Sequence, residues 1–258
     1  MSDHRSVHGI LLLGGRGTRL RPAYTGNKHL ITVGGRAMAD YGLELLTRCG
    51  IDSLTAVVGP DDIDAFERLF ARTAPDYDIT FIVQPHPLGT ADALQRCAAT
   101  VDEPYVATLW GDNLFEVIPE PTVHRFLADP APCMITIAHS PNPQHFSTAT
   151  LTGGRVSAIV DKPTEPTTNL VCAGLMLFES TALFESVRCV RQNRRGEREA
   201  MDAVRAFLRA GELRFDRITG QWFDAAFSPE SLTEAEQFAL HRGFNHPSNT
   251  RQETLAWT

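Results

Sequence analysis

Apolar residues in the first half of the chain fall into two alternating patterns. Short runs, Val7 to Leu13, Leu54 to Val58, Asp78 to Val83 and Tyr105 to Leu109, have the length and the flanking turn residues of strands. Between them lie stretches with helical spacing. Ala37 to Cys49 puts Met38, Tyr41, Leu45 and Leu46 on one face, a second stretch starts at an Asp61 or Asp62 cap and runs to about Arg72, and a third spans Ala91 to Ala99. A short strand near Leu30 to Val33 leads into the turn Gly34-Gly35-Arg36. Strand and helix in regular alternation predict right-handed crossovers and a mostly parallel sheet. Ligands of such sheets bind at the carboxyl ends of the strands, so the loops at 14–28, 84–90 and 110–113 share one rim.

The second half changes character. Cys133 to His139, Ser147 to Leu151, Arg155 to Val160 and Leu170 to Phe178 read as strands joined by turns, with Gly153-Gly154 as a hairpin. Gly196 to Leu208 reads as a helix, Leu213 to Ile218 and Gln221 to Phe223 as short strands, and Pro229 to Leu240 as a helix. The predicted fold is α/β, a Rossmann-like, mostly parallel central sheet flanked by helices, with a more antiparallel second half. One domain covers 1–241, in halves of about 1–130 and 131–241, and the polar tail 242–258 is weakly ordered, with Leu255 and Trp257 able to dock.

Composition narrows the class. A hydrophobic content of 43% and a charged content of 21% are those of a soluble globular protein, with no run long enough to span a membrane. A net charge of −7 argues against nucleic acid or an anionic membrane as partner. Cysteines 49, 97, 133, 172 and 189 show no metal spacing, and their odd number and scatter suggest reduced thiols in the cytoplasm. The N-terminus has no signal-peptide core. Of 24 basic residues only Lys28 and Lys162 are lysines, so each is either a chance survivor of an arginine-rich coding bias or a required compact ammonium.

The chemistry concentrates after the first strand. Gly14, Gly15 and Gly17 let backbone N–H groups close around oxyanions, and Arg16, Arg19, Arg21 and Lys28 supply the charge a polyphosphate demands. The loop reads as the grip on a nucleoside triphosphate, with an ordinary turn bearing solvated arginines as the alternative. It is neither a P-loop, which needs Lys-Ser/Thr after its glycines, nor a dinucleotide fingerprint, whose third glycine is here Leu20. Asp112, after a strand on the same rim, is placed to hold magnesium on phosphate oxygens, with Asp224 as a second carboxylate; a turn cap and a cap of the helix near Pro229 are the alternatives. Lys162 precedes Pro163, which favours an extended exit that aims the ammonium at an acceptor phosphate. Arg194 or Arg195 could close over that phosphate, although such charge runs are usually solvated faces. No covalent nucleophile has a local signature.

These segments together resemble the sugar-1-phosphate nucleotidyltransferases, glucose-1-phosphate thymidylyltransferases above all. The resemblance rests on Leu11 to Pro22, Asn27-Lys28-His29-Leu30, Gln84 to Gly89, Trp110 to Phe115, Asp161 to Pro166, Arg195 to Glu199 and Trp222-Phe223-Asp224, in the family's order and over nearly the whole chain. It implies a GT-A-like nucleotidyltransferase and both lysines in the active site. Arg19 and the glycine loop, with Leu13, Gly14, Gly15, Arg16, Gly17 and Thr18, hold the triphosphate, and Lys28 contacts phosphate during transfer. Gln84 and Gly89 read the base, and Thr90 and Gly111 adjoin the nucleotide. Asp112 and Asp224 bind Mg2+, and Lys162, Arg194 and Arg195 bind the acceptor phosphate, while Phe146, Ser147 and Asp161 line the sugar pocket.

The implied reaction is in-line attack of an acceptor phosphate on the α-phosphorus of dTTP or UTP, releasing pyrophosphate. Departures from the family fall at Asp161 for a usual Glu, Phe146-Ser147 for Tyr-Gly, Asp224-Ala225-Ala226 for Asp-Thr-Gly, and Trp110 for a small aliphatic. They open two alternatives: transfer from CTP to a non-sugar phosphate or phosphonate, and a binding-only protein that senses nucleotide sugars. The resemblance also implies a homo-oligomer, dimer or tetramer, and a chain that stops short of the C-terminal helices carrying an allosteric site in longer members.

Overall fold

The computed structural model describes residues 6–22 and 24–248; Leu255 and Trp257 lie outside them. The elements in chain order begin with β1 (Val7–Leu12), β2 (Thr32–Val33), β3 (Arg36–Ala37), α1 (Met38–Arg48), β4 (Ser53–Val58), α2 (Ile63–Thr73), β5 (Ile79–Val83), α3 (Thr90–Arg96), β6 (Tyr105–Trp110) and β7 (Asn113–Phe115). They continue with α4 (Glu120–Ala128), β8 (Cys133–His139), β9 (Ser147–Thr152), β10 (Arg155–Asp161), β11 (Leu170–Glu179), α5 (Ser180–Cys189), α6 (Ala200–Ala210), β12 (Leu213–Arg217), β13 (Trp222–Asp224) and α7 (Pro229–His241).

Nine strands form one sheet, and β1, flanked in parallel by β4 and β6, is its centre. Every residue of β1 is buried because both faces are covered. Val7, Leu11 and Leu13 pack into a core with α1, α2 and α4, while Ile10 and Leu12 pack into a second core with α3, α5 and α6. This alternation is the two-residue period of a strand.

The long strand β11 organises the second half. Its carboxyl part, Leu175 to Glu179, runs antiparallel to β6, whereas its first residues extend past the carboxyl end of β6 and pair with β9 through Val171 and Thr148. The β9–β10 hairpin therefore overhangs the rim where the parallel strands end. A separate two-stranded ribbon, β7 with β13, pairs Asn113 with Asp224 across the same rim.

Several expectations need correction. Helices α4 and α5 carry no separate signal in the sequence reading. Residues Lys28–Leu30 form a 3-10 turn, so only Thr32 and Val33 remain as strand. Helix α6 starts at Ala200 instead of Gly196, because Gly196 adopts φ 78° in a turn closed by its N–H on Asn193 O at 2.9 Å. Asp62 precedes α2 but makes no side-chain cap; its carboxylate accepts from Asn27 Nδ2 at 2.9 Å. Of the tail expected to be weakly ordered, residues 242–248 are described and pack on the domain. Phe244 and Asn245 are buried, and Asn245 and His246 donate backbone N–H groups to Phe115 O and Glu116 O, both at 2.8 Å. Among the described residues no helix is long and apolar enough to cross a membrane.

Candidate active site

Two cavities meet at the rim. One, about 230 Å3, is lined by Gly14, Gly15, Gln84, Gly89 and Thr90; the other, about 430 Å3, by Phe146, Ser147, Asp161, Lys162, Arg195 and Trp222. Lys28, Asp112, Trp110, Thr90 and Glu199 line both, so the boundary carries an ammonium and a carboxylate.

Lys28 is fixed by its neighbours. Asn27 opens the 3-10 turn by accepting from His29 N at 2.9 Å, and its Nδ2 donates to Leu13 O at 2.7 Å, the last carbonyl before the glycine loop. The Lys28 N–H donates to Gly15 O at 3.3 Å. A Cβ on Gly15 would run into Lys28 Cε and displace the lysine side chain from its present path.

Asp112 and Asp224 come together through the ribbon, locked by Ala225 N–H donating to Asp112 O at 2.9 Å. Lys28 Nζ is hydrogen-bonded to Asp112 Oδ2. Burial pulls the Lys28 ammonium down, but the two carboxylates outweigh it and hold its pKa above the usual value. Burial likewise pushes Asp112 up, and Lys28 outweighs it, leaving Asp112 well below the usual carboxylate range. Asp224 is raised, by burial first and by repulsion from Asp112 second. Its Oδ1 is buried with no hydrogen-bond partner among the described residues, and the cap of α7 is Ser228, not Asp224.

An orphaned carboxylate oxygen beside a second carboxylate fits a hard divalent cation such as Mg2+, which is commonly held by one or two carboxylates with phosphate and water completing its shell. Among the described residues no group of three or more His, Cys, Asp and Glu could hold a metal alone.

Gln84 is oriented by its partners. Its Nε2 donates to Gly89 O at 3.0 Å and Asp92 Oδ2 at 2.9 Å, both obligatory acceptors here, so Oε1 faces the smaller cavity. Gly89 sits at φ 95° against the Arg198 backbone, where any Cβ would strike the Arg198 carbonyl. Thr90 Oγ1 donates to Glu199 Oε2 at 3.1 Å and accepts from Ala200 N at 2.8 Å, tying the rim to α6.

In the larger cavity, Ser147 Oγ donates to Asp161 Oδ1 at 2.9 Å, and the Lys162 N–H donates to Phe146 O at 3.0 Å. Lys162 has φ 44°, so the extended exit expected before Pro163 is replaced by a left-handed residue. The hairpin bond to Phe146 outweighs the local preference set by proline. Arg195 pairs with Glu197 at 2.8 Å and Glu199 at 3.0 Å.

Other expected residues stand apart. Arg194 is exposed and lines neither cavity, and the same holds for Arg16, Thr18 and Arg19. Leu13 is fully buried below the loop, Gly17 opens the 3-10 turn Thr18–Leu20, and Gly111 packs on Leu13 while donating to Leu12 O at 3.1 Å. Sequence reasoning missed Asn113 and Glu199. Asn113 Nδ2 donates to Asp112 Oδ1 at 3.2 Å, and its Oδ1 accepts from Trp222 Nε1 at 2.9 Å. Its place beside Asp112 was the available signal.

The chain matches the nucleotidyl transferase family over residues 8–242. It is 33% identical over 240 residues to the low-salt glycan biosynthesis nucleotidyltransferase Agl11 of Haloferax volcanii, covering 91% of this chain and 66% of that one. It is 31% identical over 218 residues to a glucose-1-phosphate thymidylyltransferase of Streptomyces griseus, covering 83% and 61%. The chain thus spans just under two thirds of these relatives' length. A solved Bacillus anthracis protein assigned as a glucose-1-phosphate thymidylyltransferase, in complex with a sucrose, superposes with a TM-score of 0.85 at 27% identity, covering 94% of this chain and all of that one.

Proposed function

We propose that this chain, which belongs to the nucleotidyl transferase family, transfers a nucleotidyl group from dTTP or UTP to a sugar 1-phosphate, releasing pyrophosphate. The observation that carries this is the junction of two cavities at Lys28 and Asp112, with Asp224 beside them in the larger one. A triphosphate in one cavity and a phosphate monoester in the other would present their reacting atoms to the same charges. The glycine-loop backbone holds the triphosphate, and Arg19, exposed on the same loop outside both cavities, closes over it. Lys162 and Arg195 hold the acceptor phosphate and aim one of its oxygens at the α-phosphorus. Lys28 neutralises charge that grows on the α-phosphate during in-line displacement.

Asp112 and Asp224 would hold Mg2+, which when bound draws negative charge from the phosphate oxygens. Gln84 supports a thymine or uracil base, because its inward Oε1 accepts from an imide N–H, which cytosine lacks. Agl11 and the thymidylyltransferase of Streptomyces griseus, by their names, perform chemistry of this kind.

The test is pyrophosphate release with magnesium, five nucleoside triphosphates and a panel of sugar 1-phosphates and small phosphonates. Turnover with dTTP or UTP and a hexose 1-phosphate is expected. Turnover with CTP and a phosphonate alone would keep the mechanism and overturn the substrates.

A further inference from the structure

Arg19 lies over an aromatic ring: its Cζ is 5.0 Å from the centroid of Phe227. Phe227 is itself held on several sides. His145 stacks against it at 4.7 Å with the planes 33° apart, Phe146 contacts it at 5.5 Å, and its N–H donates to Asp224 O at 3.2 Å. The ring therefore belongs to the same turn as the Asp224 carboxylate. It also lines a neighbouring pocket together with Phe146 and Trp222, where Phe146 packs edge-on to Trp222 at 5.2 Å. Arg19 lies on the opposite side of the site in sequence, in the exposed 3-10 turn Thr18–Leu20 of the glycine loop.

We infer that Phe227 is a positioning residue that seats Arg19 for the triphosphate; this rests on the nucleotidyl-transfer reading above. A guanidinium lying over a ring face spends none of its five in-plane N–H donors, so a seated arginine keeps its whole fork for phosphate oxygens. An exposed arginine also carries large rotamer freedom, and a ring packed against His145 and Phe146 removes part of that freedom before the ligand arrives. An acid in place of the ring would hold Arg19 equally well but would occupy the donors and repel the phosphate. Because Phe227 and Asp224 share a turn, the seat also fixes Arg19 relative to the carboxylate pair. Arg19 is already among the charges that act on Asp224.

The probe is inorganic tripolyphosphate with magnesium, titrated calorimetrically, which isolates the phosphate grip from base and acceptor. Phe227→Leu is expected to weaken binding about 2- to 5-fold, the range of an exposed cation–π contact, and Phe227→Tyr to restore it. Arg19→Ala weakens binding more, and in that background Phe227→Leu has no further effect. The inference is overturned if Phe227→Leu binds as the wild type does. It is equally overturned if Phe227→Leu weakens binding as much without Arg19 as with it, since that marks general packing, and thermal melts of each variant identify any loss of fold. Absence of tripolyphosphate binding to the wild type would overturn the triphosphate grip itself, and the seat with it.

Discussion

Trp222 donates its indole N–H to Asn113 Oδ1 at 2.9 Å, and the amide of the same asparagine donates to Asp112 Oδ1 at 3.2 Å. One side chain thus links the acceptor wall to the carboxylate between the cavities. Asn113→Ala leaves the indole N–H unpaired and releases Asp112, which should cost about 1–3 kcal/mol of stability. Urea denaturation measures the loss, and the acceptor KM should rise more than the nucleotide KM.

Asp224 is held above its ordinary pKa by burial and by Asp112. A carboxyl whose pKa is raised from 3.8 to about 7 on folding costs stability progressively as pH rises through that window and carries the full penalty above it. Asp224→Asn should therefore melt about 2–4 °C higher than the wild type at pH 8 without metal, for about 1 kcal/mol of relief. The two should converge only below about pH 4, where the carboxyl is protonated in both states. Magnesium should raise the melting temperature of the wild type and not of the variant, as scanning fluorimetry would record.

His29 is buried, with its pKa lowered to about 4 by burial first and by Lys28 second. The unfolded chain takes up this proton near pH 6.5 and the folded chain resists until about 4. Stability from this residue is thus complete above pH 6.5 and is lost progressively between there and about 4, by about 3 kcal/mol in all. In metal-free protein, the slope of unfolding free energy against pH over that window should be shallower for His29→Gln. Equal slopes would show that His29 does not titrate as its surroundings dictate.

Lys162 sits at φ 44°, a region costing an L-residue about 1–2 kcal/mol. Lys162→Gly should accordingly be about 1 kcal/mol more stable than Lys162→Ala, the reverse of the usual order for the pair. Both should lose acceptor affinity alike, because the ammonium is gone from each. Denaturant titration and acceptor KM separate the two effects.

Much of this was legible in the chain. The period-two and helical patterns of the first half, the glycine loop and the two lysines are local signals, governed by backbone preference and side-chain charge over a few neighbouring residues. They located the parallel strands, the shared rim and most of the side chains that line it. Helices α4 and α5 escaped because their amphipathic stripes are short and lie among strong strand signals. Arg194 and Arg195 could not be told apart, since neighbouring residues differ only in which way the turn points them.

What the tertiary structure alone decided were the long-range relationships. Asp224 meets Asp112 because a strand late in the chain pairs with β7, and no local pattern encodes that register. Lys162 is left-handed because its N–H reaches Phe146 across the hairpin, against the preference of its own dipeptide. Arg19 rests on Phe227 because the glycine loop and the turn after β13 are folded to the same rim. Short-range sterics and charge fix which elements and chemistries are present; which groups face each other depends on packing between segments far apart in sequence, and that is settled only when the whole core forms.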